Sequence, residues 1–439
     1  MATACDQTAQ SKHVKRSPRE RIRDWLGGLG PGLVTGAADD DPSGVATYSQ
    51  AGAQFGYGLL WTVLLALPFM AAIQLVSGRI GRATGAGVVA NAGKLLPRRL
   101  VLALVFFLLG ANTLNVAADL AAMGESLQLI VGGPAHGHAL IFGAASLLGE
   151  VFTSYKTYAR YLKWLTLALF AYVAAAFSVN VDWRLAALSS ILPSHMSRDS
   201  IMMIVAVLGT TISPYLFVWQ AAQEVEEMRA ADEAPLRAQQ PGAARKMKQI
   251  GVDTAVGMFV SNLVAFFIML TAAATLHQRG VADIQSAAQA AEALRPLAGE
   301  FAFLLFSLGI IGTGLLAIPV LAGSAAYGFS EFFGWGGSLE QPVQKSKGLY
   351  AIIAAATIMG VLIDFTPVDP FRMLIWCAVI NGLLAPPFMA AMMIVSSKGK
   401  IMGRYASPAW LKTAGWLATA LMSAAALLLI IDLASRLFS

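Results

Sequence analysis

The 439-residue sequence predicts an all-α membrane protein of about eleven transmembrane helices, two inverted five-helix repeats with broken helices 1 and 6. Three observations carry that prediction: a composition too apolar for a soluble domain, a lopsided distribution of basic residues, and two proline-interrupted segments in matching positions. The chain is 57% hydrophobic and 13% charged, against about 25% charged in soluble domains. Its apolar residues fall in long runs, among them 59–76, 100–110, 301–323 and 416–431. About 20 such residues, at about 1.5 Å rise each, cross a hydrocarbon core about 30 Å thick.

The spans expected from hydropathy are 28–52, 57–78, 99–121, 138–156, 160–180, 201–223, 250–276, 300–333, 348–364, 370–395 and 411–434. Residues 1–24 are polar and basic and read as a disordered cytoplasmic tail. Residues 25–180 form the first repeat, 181–395 the second, and 396–439 an additional eleventh helix. No short apolar stretch precedes a small-residue cleavage site near the start, so no cleaved signal peptide is expected. Cys5 and Cys377 sit too differently to pair, and neither has a metal-thiolate spacing.

Of the 31 Lys and Arg, 25 fall in the tail and in the connections at 79–99, 156–163, 229–248, 345–347 and 398–412. All of these share one side if the helices alternate from a cytoplasmic N-terminus. Arg184, Arg198, Arg279, Arg295, Arg372 and Arg436 fall on the other. Positive-inside asymmetry therefore explains the net charge of +6 without nucleic acid. It also predicts a multi-pass protein of the inner (plasma) membrane.

Five is odd, so helices 1–5 and 6–10 run in opposite senses, which is the arithmetic of an inverted repeat. Span one contains Asp39-Asp40-Asp41-Pro42-Ser43-Gly44, and span six contains Gly209-Thr210-Thr211-Ile212-Ser213-Pro214-Tyr215. Asp41 and Ser213 each lie about 20 Å along their helices, near mid-membrane. Proline removes a backbone donor and clashes with the preceding turn. Unwound backbone at that depth is tolerated only where it lines a cavity or is buried in protein. Paired interruptions in corresponding helices point to a transporter's substrate site.

A carboxylate at the bilayer centre costs at least about 2.5 kcal/mol and needs a partner or a role. No Lys or Arg lies mid-span to neutralise Asp41, so a bound cation is expected to supply the charge. Peptide carbonyls of the unwound segments and the hydroxyls of Thr210, Thr211 and Ser213 would complete a hard oxygen site, suited to Mg²⁺, Mn²⁺ or Ca²⁺. A simpler role for Asp41 is to cap the second half-helix through the N–H of Ser43 or Gly44, and the two roles are compatible. Of Asp39 and Asp40, one is expected to face an aqueous path and the other to be protonated. Asn381, in the tenth span, fits either the cation site or a helix–helix hydrogen bond. Glu224, Glu226 and Glu227 read as a solvated helix end rather than an acidic vestibule, and Glu150 has no evident partner. The five histidines show no zinc-site spacing, and Trp61, Trp164, Trp183 and Trp410 read as interfacial anchors.

Gly30-Pro31-Gly32 followed by Asp41-Pro42-Ser43-Gly44 and Ala46-Thr47 resembles the first helix of the Nramp divalent-metal transporters. The segment from Gly209 to Tyr215 resembles their sixth helix, Ala118-Asp119-Leu120-Ala121 their third, and the Gly/Ala/Thr pattern of 308–328 their eighth. The likeness covers about residues 25–395. It implies the fold of the amino-acid and neurotransmitter symporters and a metal site between helices 1 and 6; with the reading of the residues above, the candidate metal residues are Asp41, Gly44, Thr210, Ser213 and, from the tenth span, Asn381. The departures are informative. Gly44 stands at the family's Asn position, Ser213 at its Met, Tyr215 at its His, and Ala122 at the acid three residues after the third-helix Asp. Losing the thioether removes a soft ligand and weakens preference for transition metals. The pattern is similar to the Nramp-related magnesium transporters. A proton route, if kept, would use Asp119, Glu125 and Asp40.

The expected function is alternating-access transport, in the uptake direction, of a divalent cation of the Mn²⁺ or Mg²⁺ class. The bilayer is the other partner, and neither a cofactor nor nucleic acid is expected. The alternative is a carrier of the same fold for a small organic cation or amino acid, although Asp41 would repel a carboxylate. An aspartyl protease would need two carboxylates from separate helices sharing a proton. No second mid-membrane Asp with a matching glycine context is present, so an enzyme is not expected.

Overall fold

The computed structural model describes residues 31–153, 157, 167–193, 197–236 and 243–437. The expected tail and part of the fifth span lie outside them. Among the described residues, thirteen principal helices follow in order: α1 (Pro31–Asp39), α2 (Pro42–Phe55), α3 (Leu60–Thr84), α4 (Arg98–Val131), α5 (Ala135–Phe152), α6 (Ala171–Ser178), α7 (Arg198–Thr211), α8 (Pro214–Ala230), α9 (Ala243–Thr275), α10 (Ala302–Phe333), α11 (Lys347–Asp364), α12 (Pro370–Ser397) and α13 (Ala409–Leu437). No strand occurs among the described residues. Span one is the broken pair α1–α2, and span six the broken pair α7–α8. Eight stretches of the described chain are long and apolar enough to cross a membrane, and the first of them, Pro42–Thr84, contains both α2 and α3.

Hydropathy misplaces two boundaries for one reason. Helix α4 runs to Val131, ten residues beyond the expected end, and α9 begins at Ala243 rather than 250. The α9 extension carries Arg245, Lys246, Lys248 and Gln249, and that of α4 carries Glu125 and Gln128, residues that lower hydropathy yet favour helix.

Contacts between connections sort the helix ends into two faces. On the basic face Arg82 pairs with Glu233, which also holds Lys246 at 3.3 Å. There Arg79 Nη2 donates to Tyr405 O at 3.0 Å, and Glu331 Oε2 accepts from Ala90 N at 2.9 Å. These bonds join the ends of α3, α8, α10 and α12 to the starts of the helices that follow. On the opposite face Gln50 Nε2 donates to Ala282 O at 3.0 Å, and Gln50 Oε1 accepts from Ile284 N at 2.9 Å. His136 meets Asp364 at 2.9 Å on that face too. The alternation expected of inverted repeats is thus built into the packing.

Two close backbone approaches position the broken helices. A Cβ on Gly36 would sit 2.4 Å from Gly257 O, so α1 lies directly against α9. A Cβ on Gly209 would sit 2.2 Å from Ala378 O and 2.4 Å from Gly382 N, which seats α7 on α12. Small residues permit such contact where no hydrophobic force drives helices together in lipid.

Replacing Gly209 by Leu should therefore abolish monodisperse protein or lower its melting temperature sharply, since forced overpacking costs about 1–3 kcal/mol or more. Gly110→Ala, where an added Cβ meets nothing within 4 Å, should leave the melting temperature unchanged. Fluorescence-detected size exclusion with a thermal ramp measures both variants.

Candidate functional site

The site begins with two interruptions. Helix α1 stops at Asp39, and α2 restarts at Pro42, whose missing N–H is harmless at a first helical position. Asp41 is the N-cap, extended at φ −65° and ψ 169°, and its Oδ1 accepts from Gly44 N at 2.7 Å. Helix α7 stops at Thr211, and after Ile212 and an extended Ser213 (φ −90°, ψ 136°) α8 restarts at Pro214. Carbonyl-rich ends of α1 and α7 and amide-rich starts of α2 and α8 therefore converge, each carrying partial charge.

Side chains stitch the two breaks together. Tyr215 OH donates to Asp41 Oδ2 at 3.2 Å, and Tyr48 OH meets Thr211 Oγ1 at 3.1 Å. A Cβ on Gly44 would lie 3.3 Å from both Thr210 Oγ1 and Asp39 O, so the absent side chain is what lets the segments touch. Ser43 Oγ donates to Leu374 O at 2.7 Å, tying the break to α12. Asp41 also accepts from Asn115 Nδ2 at 3.0 Å. The capping role read from the sequence is present, and two further donors hold the other oxygen.

Of the expected metal residues, Asp41, Gly44 and Thr210 come together directly. Ser213 is in the break, but its hydroxyl donates to Gly209 O at 2.6 Å and Thr210 O at 2.9 Å, leaving only lone pairs for an ion. Asn381 is brought level with the α7 terminus by the Gly209–Gly382 contact. It is buried, and its Oδ1 has no donor among the described residues. Asp119 is fully buried, with no well-aligned donor for either carboxylate oxygen among the described residues. Asp39 and Asp40 turn away toward α9 and share Ser261, whose Oγ lies 2.6 Å from Asp39 Oδ2 and 3.1 Å from Asp40 Oδ1. Glu125 is apart from these groups, half-buried in a small cavity with Pro42, Ala46, Ala122 and Ser126.

Two partners escaped the sequence reading. Asn115 had one available signal, its place one turn before Asp119 on the same helix face. Ser261 had none, because a lone serine in an apolar span is unremarkable until α1 packs against α9. The glutamates after the sixth span require correction. Glu224 and Glu226 are buried rather than solvated, and Ser338 Oγ donates to Glu226. The α10–α11 connection folds over the end of α8 through this bond. Glu150 has a partner in Ser146 at 3.4 Å.

No group of three or more His, Cys, Asp or Glu side chains among the described residues could hold a metal. An ion at the breaks would be bound by one or two carboxylates with carbonyl, hydroxyl and amide oxygens and water, a hard donor set.

Against known proteins, the sequence model described as Nramp, natural resistance-associated macrophage protein-like, matches residues 32–432. The divalent metal cation transporter MntH of Pectobacterium carotovorum is 26% identical over 96% of this chain and 98% of its own. The protein of the same name from Yersinia enterocolitica is 31% identical over 74% of this chain and 78% of its own. Among solved structures, the Eremococcus coleocola manganese transporter in complex with an aromatic bis-isothiourea substituted compound superposes with a TM-score of 0.73 at 14% identity, covering 96% of this chain and 89% of that one. Mhp1, a nucleobase-cation-symport-1 family transporter, superposes at 0.52 and 15% identity over 93% and 92% of the two chains. At these identities the structures speak for the fold, which is the expected one of two inverted five-helix repeats. The match across 32–432 places the chain in the Nramp family.

Proposed function

We propose that this chain carries divalent metal cations of the Mn²⁺ or Mg²⁺ class across the membrane by alternating access, in the uptake direction, holding the ion at the paired breaks. The observation that carries the reading is Asp41. Its carboxylate, 1% exposed, sits where two helix C-termini offer carbonyls, with no Lys or Arg beside it among the described residues. Relatives named as divalent metal cation transporters support the same cargo. Four buried aspartates, Asp39, Asp40, Asp41 and Asp119, argue against an amino-acid substrate, whose carboxylate they would repel.

Within this reading Asp41 is the charged ligand. Gly44 and Thr210 line the site, Ser213 offers lone pairs and carbonyls, and Asn381 approaches from α12. Tyr215 and Ala122 replace titratable groups, so metal moves with little proton movement; any proton route would depend on Asp119, Glu125 or Asp40. The basic face is cytoplasmic, and the repeats divide near residue 180.

Asp41→Ala should weaken cation binding more than about tenfold, because a charge pair at about 4 Å with an effective dielectric near 20 is worth roughly 4 kcal/mol, and half of that suffices. Asp41→Asn keeps an acceptor for Gly44 N and controls for folding, while Asp40→Ala should do less. Uptake and calorimetric binding at matched abundance test these, and normal transport by Asp41→Ala would remove the site.

Ser213→Met should raise Cd²⁺ or Mn²⁺ transport relative to Mg²⁺, since a polarizable sulfur favours softer ions. Competition uptake reads this directly, and an unchanged ion ranking means that position 213 does not face the ion.

Reporter fusions between Leu236 and Ala243 should be cytoplasmic, and those at Ala135 and Gln285 extracytoplasmic. The reverse pattern would invert the proposed orientation.

A further inference from the structure

Helix α4 carries a buried polar stripe beside the first break. Asn115, Asp119, Ala122 and Ser126 recur at spacings of four, three and four, on one helix face, and all are buried. At one end of the stripe Asn115 Nδ2 donates to Asp41 Oδ2 at 3.0 Å. At the other, Ala122 and Ser126 line the cavity that Glu125, Pro42, Ala46 and Phe371 share. A single helix face thus runs from the carboxylate at the break to a cavity beneath the opposite face.

The chemistry of the stripe is one-sided. Asn115 Oδ1 is buried without a donor among the described residues, and the carboxylate of Asp119 has no well-aligned donor there, the Ser43 amide alone being directed at it; both residues are 0% exposed. A buried acceptor left unpaired costs about 1–3 kcal/mol, more when charged. The groups around Asp119 are the Asp41 carboxylate, the Ser43 amide, Tyr215 and Cys377, and no cationic side chain is among them. Asn115 is therefore half satisfied: its amide nitrogen is used by Asp41, while its oxygen has no donor.

We propose that Asn115 and Asp119 form a second wall of the cation site, so that a divalent cation is held between two carboxylates from different helices. Asn115 Nδ2 orients Asp41, and Asn115 Oδ1 and Asp119 are the oxygens presented to the ion. Ala122, small where the family has an acid, places no carboxylate between this wall and the α4 cavity. The proposal rests on the reading of Asp41 as the cation ligand.

The test is calorimetric binding of Mn²⁺ and Mg²⁺ to purified variants, with initial uptake rates in proteoliposomes. Asp119→Asn, nearly isosteric, should raise Kd about tenfold or more. Asn115→Leu should raise Kd and KM by about tenfold while maximal rate changes less than about threefold. Asn115→Asp loses the donor to Asp41 but keeps an oxygen toward the ion, so it should bind Mn²⁺ at least as tightly as the parent. If Asn115 only steadies Asp41, the Asp variant will bind as weakly as the Leu variant, which overturns its role as a wall residue. Unchanged binding by Asp119→Asn, with binding lost in Asp41→Ala, overturns the second wall alone. Unchanged binding in Asp41→Ala as well sinks the underlying site instead. Should Asn115→Leu fail to insert, Asp119→Asn and Asn115→Asp decide the matter.

Discussion

Interrupting a helix in the middle of a hydrocarbon layer strands amide and carbonyl groups where no water can reach them, at several kcal/mol for each group left unsatisfied. Much of what surrounds the two breaks answers that constraint. Asp41 caps α2 through Gly44 N, and Ser213 returns its hydroxyl to the Gly209 and Thr210 carbonyls. Ser43 spends its hydroxyl on Leu374 O. The amide start of α2 is capped by Asp41, that of α8 has no side-chain cap, and the side-chain oxygens of Asn115 and Asn381 have no donor among the described residues. On the proposed reading of Asp41 as the cation ligand, those unpaired oxygens are what the ion would meet, and they follow from where the chain unwinds rather than from a cluster of acidic ligands.

The scaffold fixes the geometry of the breaks by close backbone contact as well as by polar bonds. Gly36 against Gly257 and Gly209 against Ala378 and Gly382 allow no side chain between helices, so α1 is registered on α9 and α7 on α12 to within a fraction of a residue. Interiors this dense transmit a shift rather than absorb it. A displacement of α9 or α12 therefore carries its half of the site with it, which is how rigid elements convert a small local change into alternate exposure.

Much of this was legible in the sequence. Asp41-Pro42 and Ser213-Pro214 announce their own breaks, because proline and a capping side chain act locally. Asp41's cap, the two faces and the helical spans needed no tertiary information beyond the parity of helix number. Asn115, Ser261 and the burial of Glu224 and Glu226 were not legible, for they depend on which helix lies opposite. Asn115 is ordinary until α4 meets the break, and Ser261 until Gly36 admits α9. The long polar end of α8 looked solvated because hydropathy is blind to a connection folding back over it, as the one at Ser338 does.

The same comparison explains why the substitutions at the site are mutually consistent. Tyr215, at the family's His position, keeps a donor aimed at Asp41 but replaces an imidazole, whose ordinary pKa is about 6.5, by a phenol, whose ordinary value is about 10. Ser213 removes a soft ligand, and Gly44 removes a side chain that would crowd Thr210. Each change alone would weaken or open the site. Together they leave an oxygen-only set of side-chain ligands around one carboxylate, and a second buried carboxylate, Asp119, with no well-aligned donor among the described residues. Removing soft ligands and titratable partners lowers selectivity among ions unless charge and oxygen geometry replace them. On the proposed reading of Asp41 as the cation ligand, the remaining discrimination would come from charge density and the placement of α4, α7 and α12 around Asp41, which would make the helix packing itself part of the ion's recognition.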